Sequence, residues 1–332
     1  MSKKTELKEV KAEPESNIEK LRAVAVKFRS HLNAQYQENV AYVPDAAALA
    51  LVSVSKWIKM PKAFTDVVHL PGLPIGNITH VYGKPNAGKT TLLMEGICAA
   101  QRQNILPILI LTEHKFDFSR ISNLMGGDDQ AIVVLHADTI EQAYGFMEKI
   151  LKDLALGKLE IEQPDGSTLV LDMTNQDCFI FFDSIGNTMS ASEMAYDVDD
   201  WDKSMGKAAK AIKSLTKRIN HLLSKVRQRC GILLLNQSYQ SIPSYGLSVE
   251  TPFGGDGAPY SCALNIRLRR KGDVKVTVKG QDLIIGLETT VEVKKNHTSN
   301  IMATGSFYTI GSGIISTEDK AALEEYKKKH IR

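Results

Sequence analysis

The stretch "YGKPNAGKTTLLM", residues 82–94, decides the fold class of this chain. It has the spacing Gly-x-x-x-x-Gly-Lys-Thr, in which the glycines let backbone N–H groups curl around phosphate oxygens. The strand-like "ITHVYG" precedes it and an amphipathic run follows it. The pattern therefore predicts a strand, a phosphate-binding loop and a helix whose N-terminus faces the anion. The residues predicted to contact the nucleotide are Gly83, Lys84, Pro85, Asn86, Ala87, Gly88, Lys89, Thr90 and Thr91.

Two acidic residues at strand ends extend this prediction. In such a loop Lys89 neutralises phosphate and the Thr90 hydroxyl ligates Mg²⁺. The apolar strand "CFIFFD" ends at Asp183, which is placed to hold the same Mg²⁺. A second strand, "LILTEH", ends near Glu113, where a carboxylate could orient or deprotonate an attacking water. For Glu113 the alternative is an ordinary solvated loop residue.

The alternation of apolar runs along the chain predicts an α/β fold. Strand-like segments at 105–112, 131–136, 178–183 and 231–236 are separated by helical patterns, among them 140–156 and 203–229. Near-continuous apolar strands alternating with helices indicate a mainly parallel central sheet with helices on both faces. The segments "NIRLRRKG", "VKVTVKG", "LIIGLETTVEVKKN" and "GSFYTI" predict antiparallel strands at the C-terminal end.

Composition limits the possible settings of the protein. The 332 residues carry a net charge of +3, which is too small to argue for nucleic acid by itself. No apolar run is long enough for a membrane helix, and the charged N-terminus lacks the apolar region of a secretory signal. The four cysteines are far apart and predict buried, reduced thiols. We therefore expect no membrane partner and a cytoplasmic location.

Several motifs in order resemble the RecA-type recombinase family, over about 70–314. They are "PGLPIGNITHVYGKPNAGKTTL", "TEHKFD", "FFDSIGN", "DKSMGKAAKAIKSL", "LLLNQS" and "TVEVKKNHTSN". The segment "FGGDGAPYSCALNIRLRRKG" is most similar to the bacteriophage UvsX branch of that family. The combination of motifs is far more specific than any one of them.

This resemblance implies both a fold and a function. The fold is a RecA-like P-loop NTPase core, and the function is strand exchange in homologous recombination by helical filaments on single-stranded DNA. The implied activity is a DNA-dependent ATPase that uses ATP and Mg²⁺. Implied partners are single-stranded DNA, homologous duplex DNA and further copies of the chain, together with mediator and single-strand-binding proteins. The implied setting is a bacterial or phage-infected cell.

The resemblance also assigns roles to individual residues. It places the catalytic base at Glu113, an adenine-side contact at Asp117 and a sensor of the γ-phosphate at Gln237. Lys295 is the first of two positions that reach into the ATP site of a neighbouring subunit in the family's bacterial members. The second position is His297, and a histidine is not permanently charged, so this trans contact departs from the family pattern.

Four segments are expected along the chain. Residues 1–20 read as a disordered charged tail, 21–69 as a helical oligomerisation segment, 70–314 as the ATPase core and 315–332 as a short charged tail. Residues 157–177 are longer than the family's usual connection. The Pro-Asp-Gly turn within them predicts an inserted β-hairpin.

The resemblance implies that two loops, at about 189–205 and 238–257, carry DNA binding, and it places Lys210, Lys213 and Lys217 near the DNA backbone. The first loop is acidic and does not suit phosphate contact directly. The 203–229 helix has an apolar face, and its opposite face bears lysines that suit sequence-independent phosphate contacts. The loop at 238–257 has no Lys or Arg but offers aromatic residues that could stack on bases. A solvated helix face and aromatics packed on the core are the alternatives, and 267–271 is a second basic patch. The predicted DNA contacts are Met205, Gly206, Lys210, Lys213, Lys217, Tyr239, Tyr245, Phe253, Gly254 and Gly255.

Two other functions remain open at this stage. The first is a RecA-fold ATPase that acts as a ring-helicase-like motor or an assembly switch without strand exchange. The second is a filament-forming relative that binds DNA but has lost turnover, against which the intact Lys89, Thr90, Glu113 and Asp183 argue.

Overall fold

The computed structural model describes residues 17–36, 54, 56–113, 115–162, 166–195, 206–241, 249–299 and 301–331. The chain divides into two compact units, Met1–Ser53 and Val54–Arg332. In the first unit, one helix, α1, spans Asn17–Tyr36. The second unit begins before the predicted start of the core at residue 70 and contains the remaining elements described below.

Strands of the second unit form a large mixed sheet and two small pairs. The strands are β1 (Trp57–Lys59), β2 (Gly72–Pro74), β3 (Ile78–Gly83), β4 (Leu106–Leu111), β5 (Val133–His136), β6 (Lys158–Glu162), β7 (Thr168–Asp172), β8 (Cys178–Asp183), β9 (Cys230–Ser241), β10 (Val249–Pro252), β11 (Leu264–Val278), β12 (Gln281–Asn296), β13 (Thr304–Ile310) and β14 (Gly313–Ser316).

Helices connect and cover these strands. They are α2 (Lys62–Val68), α3 (Lys89–Arg102), α4 (Ser119–Leu124), α5 (Ile140–Ala155), α6 (Ala191–Met194), α7 (Lys207–Lys225), α8 (Gly257–Ser261) and α9 (Lys320–Ile331), with a 3₁₀ turn at Ile185–Asn187. The segment predicted as a charged tail at 315–332 thus contains α9.

The sheet order is β14-β13-β12-β11-β3-β9-β8-β4-β5. The path from β11 to β5 is parallel, whereas β11 to β14 are antiparallel neighbours. One apolar cluster, including residues of α3, lies on one face, and a second cluster with residues of α5 and α7 lies on the other. The predicted α/β fold with helices on both faces and antiparallel C-terminal strands is confirmed.

Three local features refine the sequence predictions. The two strands expected from "NIRLRRKG" and "VKVTVKG" are one strand, β11, which continues through an irregularity between Arg270 and Gly272. The inserted hairpin at 157–177 is present, because β6 and β7 pair antiparallel. All four cysteines are buried and free, as expected.

Candidate functional site

The predicted phosphate-binding loop connects β3 to α3, as its sequence predicts. Gly88 precedes the helix with φ of 89°, and a Cβ there would lie 2.7 Å from Thr309 Cγ2, so a larger residue would be strained and crowded. Gly88 has no side chain that could cap the N–H groups of the first helical turn. Those groups and the helix dipole favour an anion at this end of α3.

Lys89 is only 9% exposed and extends back along this loop. Its ammonium donates hydrogen bonds to the carbonyl oxygens of Gly83 and Lys84, both at 2.9 Å. Burial lowers the pKa of Lys89, and the carboxylates of Asp183 and Glu113 oppose that shift. A buried ammonium among neutral carbonyls and helix N–H groups suits a phosphate, which would supply the opposite charge.

Asp183 lies at the end of β8 beside the same loop. The Thr90 hydroxyl donates to Asp183 Oδ2 at 3.1 Å, so a hydroxyl and a carboxylate converge on one point. Burial raises the pKa of Asp183 to about 6; Glu113 adds to the rise, and Thr90 and Lys89 oppose it. A cation there would restore the charged carboxylate.

This pair of oxygens fits Mg²⁺ better than a metal that needs a protein cage. Mg²⁺ keeps several waters and takes few protein ligands when phosphates also bind it. Among the described residues, no group of three or more His, Cys, Asp or Glu side chains is arranged to hold a metal ion.

Glu113 follows β4, the neighbour of β8 in the sheet. The Ser184 hydroxyl donates to Glu113 Oε1 at 3.5 Å, and the Thr112 hydroxyl donates to the Ser184 carbonyl oxygen at 3.0 Å. These bonds tie the ends of β4 and β8 together. The structure thus brings Glu113, Asp183 and the phosphate loop to one edge of the sheet, as expected from parallel strands that end side by side.

A cavity of about 400 Å³ continues from the loop toward the β12–β13 strand pair. Arg120, which the sequence did not single out, forms part of its wall. Its guanidinium donates to Thr91 Oγ1 at 3.3 Å and to the carbonyl oxygens of Ile310 and Gly311, each at 3.2 Å. The cavity is lined by Asn86, Ala87, Gly88, Lys89, Thr90, Thr91, Arg120, Ile285, Gly286, Leu287, Thr309, Ile310 and Gly311.

Asp117, predicted as an adenine-side contact, is exposed and accepts hydrogen bonds at the start of α4. The Ser119 hydroxyl and backbone N–H donate to Asp117 Oδ1 at 2.6 and 3.1 Å. It lies three positions before Arg120, on the same segment but outside the residues that line the cavity. Its contact with a nucleotide stays a prediction.

Gln237 lies beside the start of the phosphate loop, because it pairs with Gly83 in the register of β9 and β3. Its neighbour Asn236 is fully buried, and the Asn236 amide donates to the carbonyl oxygen of Phe253 at 2.9 Å. The backbone N–H of Phe253 in turn donates to the Gln237 carbonyl oxygen at 2.8 Å. The strand end predicted to sense phosphate is therefore bonded directly to the segment predicted to bind DNA.

The described residues of the segment predicted as a loop at 238–257 include a β-hairpin. Ser238–Ser241 of β9 pair antiparallel with β10, and Tyr239 is 49% exposed. Phe253 packs against the second apolar cluster. Its contacts therefore match the alternative given above, in which the aromatic side chains of this segment pack on the core. Gly254 and Gly255 form the turn toward α8; Tyr245 lies outside the described residues.

The predicted lysine face of α7 is exposed. Lys210, Lys213 and Lys217 point to solvent, while Ala208, Ile212, Ile219 and Leu223 are buried on the opposite side. Within the described residues none of these three lysines forms a salt bridge, whereas Arg218 pairs with Glu148 at 2.6 Å.

The hairpin and α7 lie against each other. A Cβ on Gly254 would lie 2.5 Å from Ile212 Cδ1, so the turn after β10 packs directly on the helix. Gly206 begins α7 with φ of 81°, and Met205 lies outside the described residues. The turn after β10 and the helix α7 are thus in direct contact through Ile212.

The second basic patch, 267–271, is neutralised by carboxylates. Arg267 pairs with Glu292 at 2.5 Å, and Arg269 lies 3.4 Å from the same carboxylate. Lys271 pairs with Glu288 at 2.6 Å, and Arg270 pairs with Asp273. Since its charges are compensated, this patch attracts phosphate less than the lysine face of α7 does.

Lys295 is bonded within its own chain. Its ammonium donates to the carbonyl oxygens of Tyr260 at 2.7 Å and Pro259 at 3.1 Å. It also lies 5.9 Å from the centroid of the Tyr260 ring, and Tyr260 is 83% exposed. His297 is exposed nearby. The structure does not bring Lys295 to the cavity of its own chain, so its catalytic role stays a prediction about a neighbouring subunit.

Comparison with known proteins decides the family. The family model of the RecA N-terminal domain matches residues 61–315. The chain belongs to the RecA family. The RecA resemblance stated from the sequence motifs is thereby confirmed.

Individual relatives in the RecA family are distant. RecA of Syntrophus aciditrophicus is 26% identical over 225 residues, which are 68% of this chain and 57% of that protein. RecA of Chlorobaculum tepidum is 26% identical over 244 residues, 73% of this chain and 62% of that protein. RecA of Delftia acidovorans is 27% identical over 244 residues, 73% and 58% of the two chains. The chain thus spans about three-fifths of the length of these RecA proteins, and these matches do not test its resemblance to the phage branch.

Among the helices that the structure describes, none has the length and apolar character needed to cross a bilayer.

Proposed function

We propose that this RecA-family chain is an ATP-dependent strand-exchange protein that forms helical filaments on single-stranded DNA. Its proposed partners are single-stranded DNA, homologous duplex DNA and copies of itself; mediator and single-strand-binding proteins, and a cytoplasmic location, remain predictions from the resemblance. The observation that carries the proposal is the bonded connection from the phosphate loop through Gln237 and Asn236 to Phe253. It joins a nucleotide site to a surface suited to DNA.

The residues at the sheet edge have different roles in the proposed hydrolysis of ATP. The loop from Gly83 to Thr91 would bind the triphosphate, and Thr90 and Asp183 would hold Mg²⁺. The ion supplies charge neutralisation for the phosphates when bound. Glu113 orients a water molecule or accepts its proton, because it follows β4, whose last residue, Leu111, pairs with Asp183.

DNA binding uses cations and aromatic side chains separately. Lys210, Lys213 and Lys217 attract the phosphate backbone without regard to sequence. The hairpin presents the exposed ring of Tyr239, which could stack on a base. A change at Gln237 would reach the hairpin through Asn236 and Phe253, which links nucleotide state to DNA affinity.

The proposal is tested by ATP hydrolysis measured with and without single-stranded DNA. We expect DNA to stimulate hydrolysis by the wild-type chain, and Lys89→Ala to abolish it because the phosphates lose their buried cation. Lys59→Ala, at the exposed end of β1, is the matched control and should behave as wild type. Hydrolysis by Lys89→Ala at the wild-type rate would contradict the assignment of the phosphate loop. A wild-type hydrolysis rate that single-stranded DNA does not change would contradict the proposed DNA-dependent activity.

A further inference from the structure

The helix α9 reaches the nucleotide cavity through one hydroxyl. The Tyr326 hydroxyl accepts a hydrogen bond from the Gly311 N–H at 3.0 Å and donates one to the Ile285 carbonyl oxygen at 3.1 Å. It therefore joins β12 to the turn between β13 and β14. Both partners, Ile285 and Gly311, line the cavity.

The Gly311 residue is held from two sides. Arg120 donates to its carbonyl oxygen at 3.2 Å, and Tyr326 accepts from its N–H at 3.0 Å. Arg120 also donates to Thr91 on α3, at 3.3 Å. A continuous series of bonds thus runs from α9 across the cavity wall to the helix that follows the phosphate loop.

The position of this wall gives it a defined relation to a nucleotide. If the triphosphate occupies the loop from Gly83 to Thr91, the ribose and base must extend into the rest of the cavity. The rest of the cavity is bounded by Arg120, 285–287 and 309–311. The wall that Tyr326 holds is therefore at the nucleoside end and not at the phosphate end.

We propose that Tyr326 is a positioning residue for the nucleoside part of a bound nucleoside triphosphate. It fixes the distance between the β12 backbone and the β13–β14 turn, and so the width of the cavity where ribose and base lie. A glycine-containing turn has many accessible conformations, and the hydroxyl restricts it to one. This inference rests on the proposed nucleotide-binding function. It adds the helix α9 to the nucleotide site, which otherwise consists of the phosphate loop, the pair Thr90 and Asp183, and Glu113.

The test compares two ligands that share phosphates but differ in the nucleoside. Tyr326→Phe removes only the hydroxyl, and its affinities for ATP and for inorganic tripolyphosphate are measured with the full chain and Mg²⁺. We expect the affinity for ATP to fall by about 3- to 10-fold, as expected for lost hydrogen bonds of ordinary strength, while the affinity for tripolyphosphate is unchanged. In hydrolysis assays KM should rise and kcat should stay near the wild-type value.

A matched variant and the wild type make the outcomes decisive. Tyr308→Phe makes the same chemical change on β13, at a residue that does not line the cavity, and should leave both affinities unchanged. Unchanged ATP affinity in Tyr326→Phe, or equal weakening of both ligands, would overturn the inference alone. If the wild-type chain binds neither ligand, the proposed function fails and the inference fails with it.

Discussion

His80 is a buried histidine at the centre of the strands that form the site. Its Nδ1 lies 2.9 Å from Asn265 Oδ1 and its Nε2 lies 3.2 Å from the Asn236 amide nitrogen. If Asn265 Oδ1 accepts from Nδ1–H, then Nε2 accepts from Asn236, whose second N–H is used by Phe253. The neutral imidazole therefore orients Asn236, the residue that connects the phosphate-sensing strand end to the hairpin.

The titration of His80 predicts how stability depends on pH. Burial lowers its pKa from 6.5 to about 4, although the Asn265 hydrogen bond opposes the shift. Since the unfolded chain binds this proton at higher pH than the folded chain, the free energy of unfolding must fall as pH drops from about 6.5 toward 4. Between pH 7 and pH 5, His80 should lower the free energy of unfolding by roughly 2 kcal/mol.

Replacement of His80 should remove that dependence. The free energy of unfolding is measured with denaturant at pH 7 and at pH 5. Between these values we expect it to fall by roughly 2 kcal/mol less in His80→Gln than in the wild type. His221→Gln, at an exposed position on α7, is the control and should retain the wild-type pH dependence. Equal pH dependence in His80→Gln and wild type would contradict the assignment of a neutral buried imidazole.

Glu113 is expected to act in hydrolysis and not in nucleotide binding. Glu113→Gln should bind ATP as wild type does, hydrolyse it about 10²- to 10⁴-fold more slowly and remain on DNA longer, because the general base is lost. The rate of phosphate release measures hydrolysis, and the affinity for ATP measures nucleotide binding separately. Glu160→Gln, on the β6–β7 hairpin, is the control, and a wild-type rate in Glu113→Gln would show that another group activates water.

At the scale of elements, the helix α7 is the clearest test of DNA binding. Replacing Lys210 or Lys217 with Ala should weaken binding of single-stranded DNA equally for all sequences, because both side chains are exposed cations. The slope of log K against log salt should become shallower by about 0.7 for each lost phosphate contact. Lys225→Ala, at the other end of α7, is the control, and an unchanged slope would favour the solvated-face alternative.

Elements with strong local patterns were predictable from the sequence. The helical spacing at 140–156 matches α5, whose start is fixed by Thr139, since its hydroxyl accepts from the Gln142 N–H at 3.1 Å. The strands of the parallel sheet were predicted within a few residues, because each is a continuous apolar run. Their shared edge then placed Lys89, Asp183 and Glu113 together.

Elements that depend on long-range pairing were less predictable. The segments on either side of Gly272 were predicted as separate strands, but they form one strand, because β12 pairs with both and an irregularity between Arg270 and Gly272 accommodates the glycine. The Ser- and Gly-rich composition after Gln237 suggested a loop, but pairing with β10 extends β9. Arg120 and Tyr326 were missed because their partners at 310–311 and 285 are distant in sequence.

At the scale of the whole molecule, the family resemblance predicts an ATP site that Lys295 of a neighbouring subunit completes. Lys295→Ala should lower DNA-stimulated hydrolysis, and in mixed filaments it should depress the turnover of intact neighbours below the simple average of the two activities. Lys294→Ala, at the adjacent exposed residue, is the control. Mixed filaments that show only the average would mean that Lys295, bonded to Tyr260 in its own chain, has no role in trans.

Strand exchange between single-stranded DNA and duplex DNA distinguishes a recombinase from other ATPases of the RecA fold. With ATP and Mg²⁺, the wild-type chain should transfer a strand from a homologous duplex and leave a heterologous duplex intact, and Lys89→Ala should transfer none. A ring-type motor or an assembly switch would hydrolyse ATP without this dependence on homology. If the wild-type chain hydrolyses ATP in response to single-stranded DNA yet never exchanges homologous strands, the strand-exchange proposal is contradicted.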